Sequence, residues 1–117
     1  MNDQNTPEIT DCPVTYALNM IGGKWHLPIL WTLSQNPVLR YNELKRKING
    51  ITSMMLTQSL KDMEGYGLVR REQYPEIPPR VEYSLTQAGL DVLPAVAALA
   101  KWGARQMEAR KGNETIR

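Results

Sequence analysis

Between Leu68 and Leu85 the chain reads LVRREQYPEIPPRVEYSL, two short runs of β type held apart by Pro75-Glu76-Ile77-Pro78-Pro79. Proline has no amide to give to a sheet, so this middle segment cannot pair and must project. The flanking runs, Leu68 to Tyr74 and Arg80 to Leu85, are rich in Val, Tyr and Leu with alternation. They predict one antiparallel hairpin with a stiff, protruding tip. The rest of the chain reads as helix, so the fold must pack several helices around that hairpin.

Pro13 suits the first turn of a helix capped by Asp11 or Cys12. Val14, Ala17, Leu18 and Ile21 recur at helical spacing over 13–21, and Gly22-Gly23 ends the run. A second helix is predicted from about Lys24 to Ser34 on Trp25, Ile29, Leu30 and Leu33, with Pro28 tolerable only in its first turn. Asn36-Pro37 breaks it. A third, Tyr41 to Ile48, turns Leu44 and Ile48 inward and Lys45, Arg46 and Lys47 outward. The fourth starts at Thr52 or Ser53 and runs to about Tyr66, closed by Gly65 and Gly67. Its apolar positions are Met55 or Leu56, then Leu60, Met63 and Tyr66 or Gly67. The opposite face carries Ser53, Met54, Thr57, Gln58 and Lys61, short-chained and almost free of acids. Thr86 caps a last helix that Pro94 should kink, and from Ala95 to Trp102 this helix is apolar nearly all round. A small domain cannot bury every face of a terminal helix, so a partner surface is implied. Met20, Met55 and Met63 read as core filling.

At 117 residues there is room for one domain. The expected organisation is a flexible arm over 1–11, one folded unit over 12–110 and a frayed tail over 111–117. No apolar run approaches the ~18 residues of a membrane span. The start, MNDQNTPEIT, lacks the apolar stretch of a secretory signal. A single cysteine, Cys12, fits a reducing compartment, so a cytoplasmic location is expected. The net charge is only +2, yet residues 1–12 hold three acids and no base while 13–81 hold nine bases against five acids. One histidine, His26, and no metal-ligand spacing, phosphate loop or nucleophile set argue against an enzyme, a metal site or a cofactor.

Two short helices joined by a glycine-containing turn, then a hairpin, then a long helix, is the order of a winged helix-turn-helix: mainly α with a small β-hairpin wing. A helix entering the major groove needs one apolar face for the core and one acid-free face for base edges and phosphates. The fourth helix meets both demands. The segments CPVTYALNMIGGKW, LRYNELKRKINGITSMMLTQSLKDMEGYGLVRR and YPEIPPRVEYSLTQAGLDVLPAVAALAKWG resemble the HxlR family of bacterial regulators over roughly Cys12 to Gly103. GGKW, PPRVEYSLT and the terminal WG are specific in combination. The resemblance implies a homodimer built from the first and last helices, through Val14, Leu18, Val96, Leu99 and Trp102, on an inverted-repeat site in duplex DNA. It also implies repression or activation, in some members through oxidants or electrophiles at the cysteine matching Cys12.

Within that frame Thr57 and Gln58 are the candidates for base edges, and Lys61 for phosphate. At least one of Lys45, Arg46 and Lys47 is expected to face phosphate. Arg80, at the base of the wing, is expected to meet phosphate or the minor groove, the alternative being ion pairs with Glu82 or Glu76. Lys24 is as well explained by capping or packing. For Cys12, the dipole and amides at a helix start lower a thiol's pKa while Asp11 opposes them, and an inert small residue is the competing reading. Trp25, Trp31 and Trp102 belong to core or interface, and an effector pocket near them would take a ligand that nothing in the sequence identifies. The reading is a dimeric repressor acting by occlusion, its rival a winged-helix protein-interaction module that never binds DNA.

Overall fold

The computed structural model describes residues 9–116, with side chains through 112, so most of the expected arm over 1–11 lies outside the described residues. The elements run α1 (Pro13–Ile21), α2 (His26–Gln35), β1 (Leu39–Arg40), α3 (Tyr41–Lys47), α4 (Ser53–Gly65), β2 (Val69–Tyr74), β3 (Arg80–Leu85), α5 (Gln87–Asp91) and α6 (Leu93–Ile116).

Helix spacing in the sequence becomes one core. Ile29, Leu30 and Leu33 of α2 meet Leu44 of α3 and Leu56, Leu60 and Met63 of α4, with Val69, Tyr83 and Val96 closing the cluster. Each such side chain contributes roughly 1.5–3 kcal/mol on burial. Leu56, not Met55, takes the core position at the start of α4. Met55 is exposed, which corrects its reading as core filling.

The hairpin pairs Val69 with Leu85 through to Tyr74 with Arg80. A third strand, β1, completes an antiparallel sheet in the order β1-β3-β2. It sets Leu39 against Tyr83 and Arg40 against Glu82, and so ties the start of α3 to the wing strand. Two residues are too few to show a period of two, which is why β1 leaves no trace in the sequence.

α4 ends where Gly67 takes a φ of +78°, a conformation that costs glycine nothing. The Thr86 hydroxyl donates to the Gly67 carbonyl and accepts from the Gly89 amide at 3.2 Å, so one side chain caps α5 and fixes it to the end of α4.

The C-terminal segment departs from expectation in one respect. It is broken into α5 and α6 rather than kinked. Pro94 cannot donate to the Leu90 carbonyl, and a new helix starts instead with the Ala95 and Val96 amides on the Val92 carbonyl at 3.0 and 3.1 Å. Proline then sits in a first turn, where its missing donor is harmless. The helical backbone of α6 runs through Ile116. Among the described residues no helix is long and apolar enough to cross a membrane.

Candidate nucleic-acid interface

Thr52 starts α4 by accepting the Met55 amide at 3.1 Å. Since Leu56, Leu60 and Met63 face the core, Ser53, Met54, Thr57, Gln58 and Lys61 all lie exposed on the other side, Met54 at 81% of its full accessibility. The structure thus brings together the five residues singled out for the recognition face. Tyr41, the first residue of α3, anchors the start of that face. Its hydroxyl lies 2.9 Å from the Ser53 carbonyl and 2.9 Å from the Thr57 hydroxyl. A carbonyl only accepts, so Tyr41 gives its proton to Ser53, and Thr57 must donate to Tyr41. With its proton used, Thr57 offers outward a methyl group and an acceptor, the pattern that suits a thymine methyl.

Beside this face Tyr41, Thr57, Leu60, Lys61, Glu64, Arg71 and Tyr83 line an open groove of about 450 Å³. Lys61 and Arg71 give it two cations against one acid. A second open trough, of about 630 Å³, runs between α3 and the wing and is lined by Arg40, Asn42, Arg46, Pro79 and Arg80 among others. Lys45 and Arg46 flank a neighbouring hollow with Asn42. Lys47 is exposed at the end of α3 but lines none of these three depressions.

Arg80, expected at the base of the wing, is ion-paired within the hairpin. Its guanidinium lies 3.0 Å from Glu76 and 3.4 Å from Glu82, with its carbon 4.1 Å from the centre of the Tyr74 ring. The ion pairs weighed for this residue are present, because the hairpin register sets Tyr74 directly opposite Arg80 and the tip carries Glu76 back over it. Its charge is balanced twice and its side chain is only 28% exposed. At the tip of the wing Ile77 stands fully exposed. Lys24 lies over the Trp25 ring at 5.1 Å, a packing role.

Cys12 occupies the N-cap position of α1 and is exposed. The Thr15 hydroxyl, and then the backbone amides of Thr15 and Val14, hold its thiol below the ordinary range. These groups prevail over the desolvation that opposes them.

Val14, Leu18, Leu99 and Trp102 are exposed, at 67, 54, 49 and 57%. Val96 is not. At 5% exposure it belongs to its own protomer's core, where α6 packs on α2, and this corrects its place in the expected dimer surface. Trp31 is exposed, whereas Trp25 packs against the core.

Sequence reasoning missed Arg40, Tyr41 and Arg71. Arg71 is exposed on β2, but so are all residues from Arg70 to Gln73, so the strand carries no alternation that would have singled it out. The role of Tyr41 depends on a contact twelve to sixteen residues away and leaves no local signal.

An amphipathic helix whose exposed face is free of acids from Ser53 to Lys61, pinned by the preceding helix and flanked by a hairpin wing, defines the class of winged helix-turn-helix transcriptional regulators. Within that class the chain belongs to the HxlR-like helix-turn-helix family, which matches residues 20–111. It is 44% identical over 97 residues to an uncharacterized HTH-type transcriptional regulator of Halalkalibacterium halodurans, covering 83% of this chain and 86% of that one. The regulator YtfH of Escherichia coli is 43% identical over 91 residues, covering 78% and 71%. Among solved structures, the redox regulator HypR in its reduced form superposes with a TM-score of 0.79 at 37% identity, covering 86% of this chain and 99% of that one. The oxidized form of HypR gives 0.75 at 40% identity, covering 80% and 96%.

Proposed function

We propose that this regulator is a homodimeric, sequence-specific repressor acting in the cytoplasm on an inverted repeat in duplex DNA, with Cys12 as its redox-sensitive residue. The observation that carries the DNA reading is the recognition face itself: Ser53, Met54, Thr57, Gln58 and Lys61 are exposed together and no acid interrupts them. Lys45, Arg46, Arg40 and Arg71 flank it as the phosphate contacts. Arg80 serves instead to stiffen the wing. Two recognition helices related by a two-fold axis would enter successive major grooves, with half-sites about one turn (~10 bp) apart or a multiple of it.

Dimerisation is supported by what one protomer leaves uncovered. α1 is nine residues long and mostly exposed along its length, too short to persist on its own propensity. α6 exposes Ala95, Ala97, Ala98, Leu99 and Trp102 to solvent. A second copy covering both helices answers both problems at once. The redox arm is supported by the lowered thiol pKa and by similarity to a redox regulator. With no second cysteine in the chain, oxidation would join two Cys12 sulfurs across the dimer or one Cys12 to a small thiol, two electrons passing to the oxidant.

The deciding experiment is a salt-titrated anisotropy assay on duplexes selected from a random library, with the protein reduced and after diamide. Selection of a palindromic motif, and release after diamide, is the expected result. Binding that is weak and indifferent to sequence would sink the repressor and leave a protein-interaction module. Tight binding unchanged by diamide would remove the sensing role alone.

A further inference from the structure

Two charged or polar groups behind the recognition face are absorbed by nothing described so far. Asp62 sits one turn after Gln58 on α4, and its Oδ1 accepts a hydrogen bond from the Gln58 Nε2 at 2.9 Å. His26, at the start of α2, is buried at 7% exposure. Its Nδ1 lies 3.1 Å from the Met20 carbonyl at the end of α1, and since a carbonyl only accepts, that nitrogen carries a proton. The opposite edge, Nε2, faces the second oxygen of Asp62 at 3.9 Å. The Tyr66 ring meets the imidazole edge-on at 6.2 Å. Gly23 makes the ring's position available, because a Cβ there would stand 2.9 Å from the imidazole.

This arrangement constrains Gln58 in a way that can be read atom by atom. A carboxylate offers only acceptors, so the amide nitrogen of Gln58 must face Asp62 and its Oε1 must turn away. One N–H is spent on Asp62. The other N–H and Oε1 remain, a donor and an acceptor side by side in one fixed order. The buried imidazole, tethered to α1, stands 3.9 Å behind the other Asp62 oxygen, beyond hydrogen-bond distance.

We propose that Asp62 is a positioning residue for base recognition, which presents the Gln58 amide in the single orientation that pairs with the N6 and N7 edge of adenine in the major groove. This rests on the reading of α4 as a DNA-recognition helix and adds to it a base and a residue that never touches that base. An unrestrained glutamine could flip its amide and meet other edges. Specificity at this position therefore belongs to the Gln58–Asp62 pair and not to Gln58 alone.

The test uses the full chain, reduced, in four forms: wild type, Gln58→Ala, Asp62→Ala and the double variant, with the near-isosteric Asp62→Asn as a fifth should Asp62→Ala fold poorly. Each is put through selection on a randomised duplex library, then titrated against duplexes carrying each base at the position that Gln58→Ala relaxes. Wild type is expected to prefer adenine there by about ten-fold or more. The preference should fall below about three-fold in Asp62→Ala and in Asp62→Asn, whose amide no longer forces the Gln58 nitrogen inward. Adding Asp62→Ala to Gln58→Ala should change nothing further at that position. Adenine preference persisting in both Asp62 variants overturns the proposal, as does a Gln58→Ala variant that relaxes no position. If wild type itself selects no motif, the recognition-helix reading fails first, before any Asp62 variant is compared.

Discussion

The Tyr41 hydroxyl joins two helices by standing 2.9 Å from Thr57, on the exposed face of α4, while donating to the Ser53 carbonyl at the helix start. One phenolic oxygen thus ties the first residue of α3 to the start of the exposed face of α4. Tyr41→Phe keeps the ring and removes both bonds. It is expected to lower stability by about 1 kcal/mol and, through the loosened helix start, DNA affinity by about five-fold. Denaturant unfolding and anisotropy on one duplex check the two numbers separately. A loss of stability with no loss of affinity would mean that Tyr41 supports the fold without aiming α4.

The cations around α4 differ in what already neutralises them, and salt dependence separates them. Lys45 and Arg46 are exposed and flank one hollow, so replacing either by Gln is expected to make the slope of log K against log salt shallower by about 0.9, one phosphate contact each. Arg80 is held by Glu76 and Glu82 and stacked on Tyr74, so Arg80→Gln should leave the slope nearly unchanged while loosening the hairpin. A slope that flattens for Arg80→Gln as much as for Arg46→Gln would restore Arg80 to the phosphate contacts.

Cys12 owes the lowering of its pKa first to the Thr15 hydroxyl and then to the amides of Thr15 and Val14. These groups favour the thiolate, so the reactive form builds up at a lower pH than in an ordinary thiol. The advantage is greatest near neutrality and vanishes once the pH is high enough to ionise any cysteine. Thr15→Val removes the leading cause while keeping the shape. Alkylation by iodoacetamide is then expected to slow near pH 7, with its midpoint moved upward, and to match wild type at high pH. Identical profiles for the two proteins would show that the helix amides alone set the reactivity.

Much of this architecture was legible in the sequence, for reasons that differ by element. Ile29, Leu33, Leu56, Leu60 and Met63 repeat at helical spacing, and repetition is what burial on one face writes into a sequence. The prolines from Pro75 to Pro79 announced the wing because they cannot pair. The recognition face was legible as the complement of the core face. Contacts between elements were not. The pairing of Arg80 with Glu76 or Glu82 could be weighed from the sequence, but not the Tyr74 ring stacked against its guanidinium. The break at Val92 was half legible: Pro94 marked the place, but whether a proline kinks or divides a helix depends on whether a new first turn can form around it. Val96 was misplaced for a related reason. An all-round apolar stretch does not say which of its residues its own domain claims.

That last distinction gives the sharpest test of the proposed dimer. Val96 and Leu99 are three residues apart on α6, yet Val96 is 5% exposed and Leu99 49%. Truncating Val96 empties space inside the protomer's own core. Val96→Ala should therefore cost roughly 1–3 kcal/mol of unfolding free energy, with no direct loss at a partner surface. Leu99→Asp and Trp102→Asp place charges on the face that stays open in one copy. If that face is the subunit junction, they should convert a dimer to monomers in sedimentation at micromolar concentration, because an unpaired carboxylate is costly to bury. DNA affinity should fall with them, since one monomer contacts only one half-site. A dimer that survives both charged variants would place the subunit contact elsewhere and leave the exposed side of α6 to some other partner.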